Sequence, residues 1–374
     1  MFLRVTADDE HGDDHGGVGR RGGRRRGLLK AAGIVFAGAL VLSLVGAAWA
    51  YWHLNQNIKS VDINSALGDD RPPKVVSTPS ATASASASAS SSASASASAS
   101  ATPLPSGALN ILVLGSDSRS GEENAALGGG STTSGARSDT AMVVHIDAGR
   151  TAATVVSIPR DTLVTRPSCP TSSGGTTSVA YNSMFNSAYS VGGPVCAVKT
   201  VESITNVRMD HFIEIDFSGF AGLVDALGGV TVTTDEDIDD DDSHLHLEAG
   251  THHLDGTQAL ALARTRHGIG DGSDLGRIGL QQTLVKALLE QIRTTDLLTD
   301  PAKLYNVADA VTGSLTTDTG LDSLTELISL GQSLQSLPAD ALTTVTMPVL
   351  PAPSDPNRVV ANEPEASELW ASLR

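Results

Sequence analysis

The stretch Leu109-Asn110-Ile111-Leu112-Val113-Leu114-Gly115 (LNILVLG) decides how the chain folds. A short, almost unbroken apolar run closed by glycine reads as a buried strand. Directly after it come Ser116-Asp117-Ser118-Arg119, which put polar groups at the strand's end. Open α/β sheets gather ligands at such ends, although Gly-Ser-Asp-Ser is also good turn chemistry. Two more strands are predicted, Thr140 to Asp147 and Thr151 to Ile158, joined by the turn Ala148-Gly149-Arg150. Arg137 and Asp139 stand at the opening of the first, and Arg160-Asp161 at the close of the second. Neighbouring strands that each end in Arg, Asp or both build one polar edge.

Helical spacing is predicted over Val195 to Ile204, Phe217 to Leu227, Gly276 to Ile292, Pro301 to Val311 and Leu321 to Leu334. Strands mixed with helices throughout imply an α/β or α+β sandwich with helices covering a central sheet. Two further cationic clusters fall among these elements. Arg264 and Arg266 (ARTRH) would face the same way on an extended segment and diverge on a helix. Arg277 and Gln281 are one helical turn apart near a helix start, where the dipole favours an anion. Guanidinium forks match phosphate oxygens in pairs, and carboxylates hold the metal that phosphates bring with them. The combined pattern points to a phosphate or pyrophosphate substrate.

Outside these clusters the chain divides sharply. Arg20, Arg21, Arg24, Arg25, Arg26 and Lys30 precede an uncharged run from Ala31 to Trp52 that ends in Trp49, Tyr51 and Trp52. That length crosses a hydrocarbon core of roughly 30 Å, and the flanks predict a single-pass anchor in the cell membrane with the N-terminus inside. The competing reading is a cleaved signal peptide, for which the apolar stretch is long and the exit WAYWH bulky. The expected order is a basic cytoplasmic tail (1–30), the anchor (31–52), an extracytoplasmic linker (53–107) and an extracytoplasmic folded domain (108–374). Residues 77 to 102 are almost wholly Ser and Ala and are expected to form a disordered tether.

The net charge is −17. An acidic exterior argues against nucleic acid as a partner, since its phosphates need a basic face. The two cysteines, Cys169 and Cys196, are expected to pair outside the membrane, contributing about 3 kcal/mol by closing their loop. The acidic run Asp235 to Asp242 precedes His244, His246, His252 and His253; it reads as a metal contact or as a solvated loop, and it is left out of the site. No Gly-x-Ser-x-Gly elbow, Gly-x-x-x-x-Gly-Lys loop or His-Glu-x-x-His is present, so nucleotide hydrolysis and metalloprotease chemistry lack support.

Read together, the segments NILVLGSDSR (110–119), RSDTAMVVHID (137–147), VVSIPRDT (155–162), NSAYSVGG (186–193), DHFIEIDFSGFAGLVDALGGV (210–230), HLDGTQALALARTRH (253–267) and DLGRIGLQQTLVKAL (274–288) resemble the LytR-CpsA-Psr proteins of Gram-positive cell envelopes. The resemblance implies an α-β-α sandwich with a central mixed sheet. It also implies a phosphotransferase that moves a glycopolymer from a polyprenyl-pyrophosphate lipid carrier to a peptidoglycan acceptor. Matched motif by motif, Asp117 and Asp139 would bind Mg²⁺, and Arg137, Arg160, Arg264, Arg266, Arg277 and Gln281 would hold the pyrophosphate. Asp161 would orient Arg160, and Asp117, Asp139 and Arg160 would form the catalytic set, with either aspartate as base. Where the family often carries a lysine, this chain has Met184. Hydrolysis of the same pyrophosphate and a non-enzymatic envelope sensor are the alternatives.

Overall fold

The computed structural model describes residues 41–74, 107–116, 138–171, 174–266, 274–295, 300–338 and 340–374. The basic tail, the first part of the expected anchor, the Ser/Ala tether, Asp117, Arg119 and Arg137 lie outside the described residues. Met1–Trp52 and His53–Arg374 are separate compact units. In the first unit, residues 41–52 are helical, and Val41, Leu42, Leu44, Val45, Trp49, Tyr51 and Trp52 are exposed along them. Among the described residues no helix is long and apolar enough to cross a membrane.

In the second unit the strands run β1 (Lys59–Val61), β2 (Leu109–Ser116), β3 (Ser138–Ile146), β4 (Ala153–Ser157), β5 (Leu163–Arg166), β6 (Ala180–Met184), β7 (His211–Asp216), β8 (Val230–Thr234), β9 (Ile238–Asp240), β10 (Leu245–Leu247), β11 (Gly250–Leu254), β12 (Leu315–Asp318), β13 (Leu342–Thr346), β14 (Val349–Ala352) and β15 (Asp355–Ala361). The helices are α1 (Ile63–Leu67), α2 (Asn186–Thr205), α3 (Phe217–Ala226), α4 (Gly256–Arg264), α5 (Asp274–Thr294), α6 (Pro301–Ser314), α7 (Leu324–Gln335) and α8 (Glu365–Ala371).

A seven-stranded sheet of order β1-β12-β7-β2-β3-β4-β13 forms the centre. It is mixed: β2 pairs antiparallel with β3 and parallel with β7. Strand β2 explains the layering. Leu112 and Leu114 enter one core cluster, with Phe212, Val198, Val201 and Trp370, while Leu109 and Ile111 enter another with Leu321, Leu330 and Leu337. Successive side chains on a strand point to opposite faces, so an apolar run without polar interruption must be covered on both. Helices α1, α2 and α8 cover one face and α7 the other, giving the expected α-β-α sandwich.

A third cluster joins α3, α4 and α5 to β8–β11 through Val224, Val232, Leu245, Leu262 and Leu284. Helices α3 and α4 approach so closely that a Cβ at Gly256 would lie 2.1 Å from the Ala221 carbonyl oxygen, so only glycine fits there. Asp255 and Gln258 form a capping box that starts α4 at this point. The acidic and histidine-rich run carries strands, β9 paired with β10 and β11 paired with β8, and its carboxylates are exposed except for the buried Asp240.

Other differences have simple causes. Helix α2 begins at Asn186, well before the predicted Val195, and it kinks at Gly192 and Gly193 ahead of Pro194. The expected linker does not run unbroken from residue 53 to residue 107. Lys59–Val61 pairs with β12 in the central sheet, and Arg71 is held by Glu202 on α2. The Arg71 guanidinium also donates to Asn64 and to the Met209 carbonyl, and both charged side chains are almost fully buried. This ion pair fastens the segment after residue 53 to the sandwich. Removing one partner of a buried pair leaves an uncompensated charge. Glu202→Ala is expected to lower unfolding stability by about 3–5 kcal/mol, read as a drop in the urea midpoint. Arg71→Met with Glu202→Leu is expected to recover most of that loss.

Candidate functional site

The site is built where β3 and β4 present their polar ends. A register shift between Gly115 and Ser116 pairs Ser116 with Ser138, leaving Asp139 as the extra residue on β3. Such a bulge re-aims a side chain at a sheet's rim. The Asp139 Oδ1 accepts a hydrogen bond from Arg160 Nη1 at 2.7 Å. Arg160 follows β4, and its Nε lies 3.5 Å from Asp161 Oδ2 and 3.4 Å from Asp274 Oδ1. Arg277, one turn along α5, pairs with Asp274 and donates to the Asp139 main-chain oxygen at 3.1 Å. Asp161 is held from its other side by Arg358 at 3.4 Å.

The charges are tightly coupled. Burial works to raise the Asp139 carboxyl, but the Arg160 charge and hydrogen bond, with Arg277 and Arg266, hold it below its ordinary value of 3.8. Burial likewise works to lower the Arg160 guanidinium, and Asp139, Asp274 and Asp161 together hold it above its ordinary value. Arg277 is lowered, chiefly by burial, with Asp274 opposing. The Nε atoms of Arg160 and Arg277 are buried and donate no hydrogen bond among the described residues. Buried donors without acceptors are costly, and an oxyanion would satisfy them.

Of the sequence-predicted residues, Asp139, Arg160 and Arg277 come together directly. Arg266 joins them electrostatically, and its backbone N–H donates to the buried Asp240 carboxylate at 2.7 Å. Arg264 is the last residue of α4, and its guanidinium lies 5.0 Å from the centre of the Phe217 ring, a cation–π contact. The Gln281 amide donates to the Ala263 carbonyl at 3.1 Å, which ties α5 to the end of α4 beside Arg264. Asp117 and Arg137 fall outside the described residues. Met184 pairs with Leu163 across β5 and β6, and the Asn186 N–H that follows donates to the Arg160 carbonyl, so the lysine-to-methionine difference lies beside the site.

Sequence reasoning overlooked Arg358, Asp240 and the placement of Asp274. The Asp274–Arg277 spacing of one helical turn is a readable signal. Arg358 in Asn357-Arg358-Val359-Val360 carries none. The cysteines Cys169 and Cys196 are disulfide-bonded and join the middle of α2, just past its kink, to the loop after β5. Asp239, Asp241 and His246 lie together on the surface.

The LytR_cpsA_psr family model matches residues 53–374. The chain is 33% identical over 265 residues to the cell wall biosynthesis protein LcpA of Corynebacterium glutamicum, covering 65% of this chain and 50% of LcpA. It is 29% identical over 238 residues to the polyisoprenyl-teichoic acid–peptidoglycan teichoic acid transferase TagV of Bacillus subtilis, covering 62% and 57% respectively. Among solved structures, the LytR-Csp2A-Psr enzyme from Actinomyces oris matches with a TM-score of 0.54 at 26% identity, over 72% of this chain and 90% of that one. The chain spans about half the length of the curated relatives it matches.

The depressed Asp139 carboxyl has a stability consequence. A carboxyl whose folded value lies below its unfolded one stabilises the fold above the unfolded value, and the contribution is lost as pH falls through the folded one. Between neutral pH and pH below 3.8, wild type is therefore expected to lose more stability than Asp139→Asn. Chemical denaturation at a series of pH values checks this.

Proposed function

This chain belongs to the LytR-CpsA-Psr family, and from that premise we propose that it is a membrane-anchored phosphotransferase. It moves a glycopolymer from a polyprenyl-pyrophosphate carrier to peptidoglycan, leaving a phosphodiester link. The observation that carries this reading is the Asp139–Arg160–Arg277 cluster, with two buried guanidinium Nε atoms that lack acceptors among the described residues. The similarity to TagV, a teichoic acid transferase to peptidoglycan, and to the cell wall biosynthesis protein LcpA supports it. The uncharged run from Ala31 to Trp52 supports anchoring, with His53–Arg374 acting outside the membrane.

Cleaving a phosphoanhydride spreads negative charge over the transferring and leaving phosphates. Arg160 and Arg277 are fixed before substrate arrives, so they stabilise that charge without reorganising water. Arg266 and Arg264 extend the cationic edge along the turn after α4. Asp161, Asp274 and Arg358 hold Arg160 in place.

The residues fit Mg²⁺. Asp139 is ionised, uses Oδ1 for Arg160, and leaves Oδ2 without a hydrogen-bond partner among the described residues. A hard oxygen donor of this kind suits the ion, and Asp117 is the expected second ligand. Bound Mg²⁺ would neutralise phosphate charge next to the arginines.

Incubating the full chain with a polyprenyl-pyrophosphate glycan and peptidoglycan tests the reading. Attachment of glycan is expected with Mg²⁺ and is expected to stop on chelation. Arg160→Ala is expected to lower kcat by about 10²- to 10³-fold, the usual effect of removing one preorganised donor. Release of free phosphorylated glycan alone would make the protein a hydrolase, and tight lipid binding without turnover would make it a sensor.

A further inference from the structure

The transfer reaction needs a group to take the proton of the attacking hydroxyl, and the aspartates at the cationic cluster are poorly suited to it. Asp139, Asp161 and Asp274 each lie in an ion pair with Arg160, and Asp274 and Asp161 have a second arginine as well. These carboxylates are already engaged by guanidinium groups. Asp216 is occupied as the N-cap of α3, accepting from Gly219 and Ser218.

One more carboxylate lies at the same end of the sheet. Glu214 on β7 stands two residues after Phe212, Ser116 on β2 two after Leu114, and Asp139 on β3 two before Ala141. Phe212, Leu114 and Ala141 all belong to one core cluster. Side chains two residues apart on a regular strand share a face, so Glu214 and Ser116 lie on one face, Ser138 is paired with Ser116, and the bulged Asp139 follows Ser138 at the same end of the sheet. The register confirms the order, since Leu114 pairs with Glu214 on one side and Ala141 on the other.

Glu214 is half-buried, and its hydrogen-bonding neighbours are hydroxyls. The Tyr189 hydroxyl on α2 donates to Glu214 Oε1, and Ser116 Oγ lies 3.3 Å from the same hydroxyl. No arginine or lysine pairs with Glu214 among the described residues. Strands β7 and β3 flank β2, and Asp139 lies two residues along β3 from Ala141, which is level with Glu214, so the two backbones are separated by two strand spacings across and two residues along, roughly 12 Å. That gap accommodates a pyrophosphate at the arginines with an attacking hydroxyl at its far end.

We propose that Glu214, positioned by Tyr189, is the catalytic base that accepts the proton of the peptidoglycan hydroxyl. The inference rests on the transferase reading. The hydroxyl oxygen bonds to the glycan-side phosphorus, and the phosphoanhydride P–O bond breaks. The polyprenyl phosphate leaves with the bonding pair, and the hydroxyl proton passes to the Glu214 carboxylate and on to solvent.

Burial raises the Glu214 carboxyl above its ordinary value of 4.5, with Asp216 adding to the rise. Tyr189, Ser116 and, more weakly, Lys59 on β1 oppose it. A base of raised proton affinity transfers protons more effectively near neutral pH.

The test uses the full chain with a polyprenyl-pyrophosphate glycan, peptidoglycan and Mg²⁺, and measures kcat and KM against pH. Glu214→Gln is expected to lower kcat by about 10²- to 10⁴-fold while KM for the lipid donor stays at its wild-type value, and Glu214→Asp is expected to recover part of the loss. Tyr189→Phe keeps the carboxylate but removes a hydrogen bond that lowers its proton affinity, so the acidic limb of its kcat profile is expected to move to higher pH. Wild-type kcat and an unmoved acidic limb in both Glu214→Gln and Tyr189→Phe would overturn the assignment and leave the transferase reading intact. Absence of transfer by wild type would remove the reading itself, and this proposal with it.

Discussion

Everything at the rim of this sheet depends on holding like charges together. Arg160 and Arg277 stand close enough to act on one ligand, and each lowers the other's comfort in its charged form. The fold answers by threading carboxylates between them: Asp139 from β3, Asp161 beside Arg160, and Asp274 from the first turn of α5. Because the carboxylates come from separate elements, the cluster can exist only when the β3 bulge, the end of β4 and the start of α5 are all in place. A cationic edge assembled in this way is rigid before any ligand arrives, which is what electrostatic stabilisation of a phosphoryl transfer requires.

The supporting shell is as informative as the cluster. Arg358, from the last sheet pair, braces Asp161, and Gln282 on α5 donates to Ser157 on β4 and Thr346 on β13. Asp240, the buried member of an otherwise exposed acidic run, receives the Arg266 N–H and so fixes the turn after α4. Residues far apart in the chain thus set the direction of a few guanidinium groups. On the opposite side of β2, Glu214 is surrounded by hydroxyls. The sheet thus separates carboxylates paired with arginines from a carboxylate bonded to hydroxyls.

Much of this was legible in the sequence because the relevant signals are local. The apolar run ending at Gly115 had to be a strand covered on both faces, and the Arg and Asp residues at strand ends had nowhere to lie but the sheet's rim. Two cysteines beyond an expected anchor were read as a pair, and they are bonded. What stayed hidden is non-local. Lys59-Ser60-Val61 is too short and too polar to announce a strand, and it becomes one only because β12 offers an edge. Arg71 looks like a linker charge until Glu202 closes on it from α2. Glu214 sits in an alternating strand where one polar residue attracts no notice, and its character comes from a tyrosine on a different element. Asp117 and Arg137, which the motifs single out, lie outside the described residues.

In the proposed transfer, phosphate moves with the glycan. The most direct measurement labels the glycan-side phosphate of the lipid carrier with ³²P, runs the reaction with peptidoglycan, and digests the washed wall. Label recovered on muropeptides in a phosphodiester bond to the glycan is the predicted result. Label left wholly on the lipid, or released as soluble glycan phosphate with none in the wall, would rule out transfer to peptidoglycan.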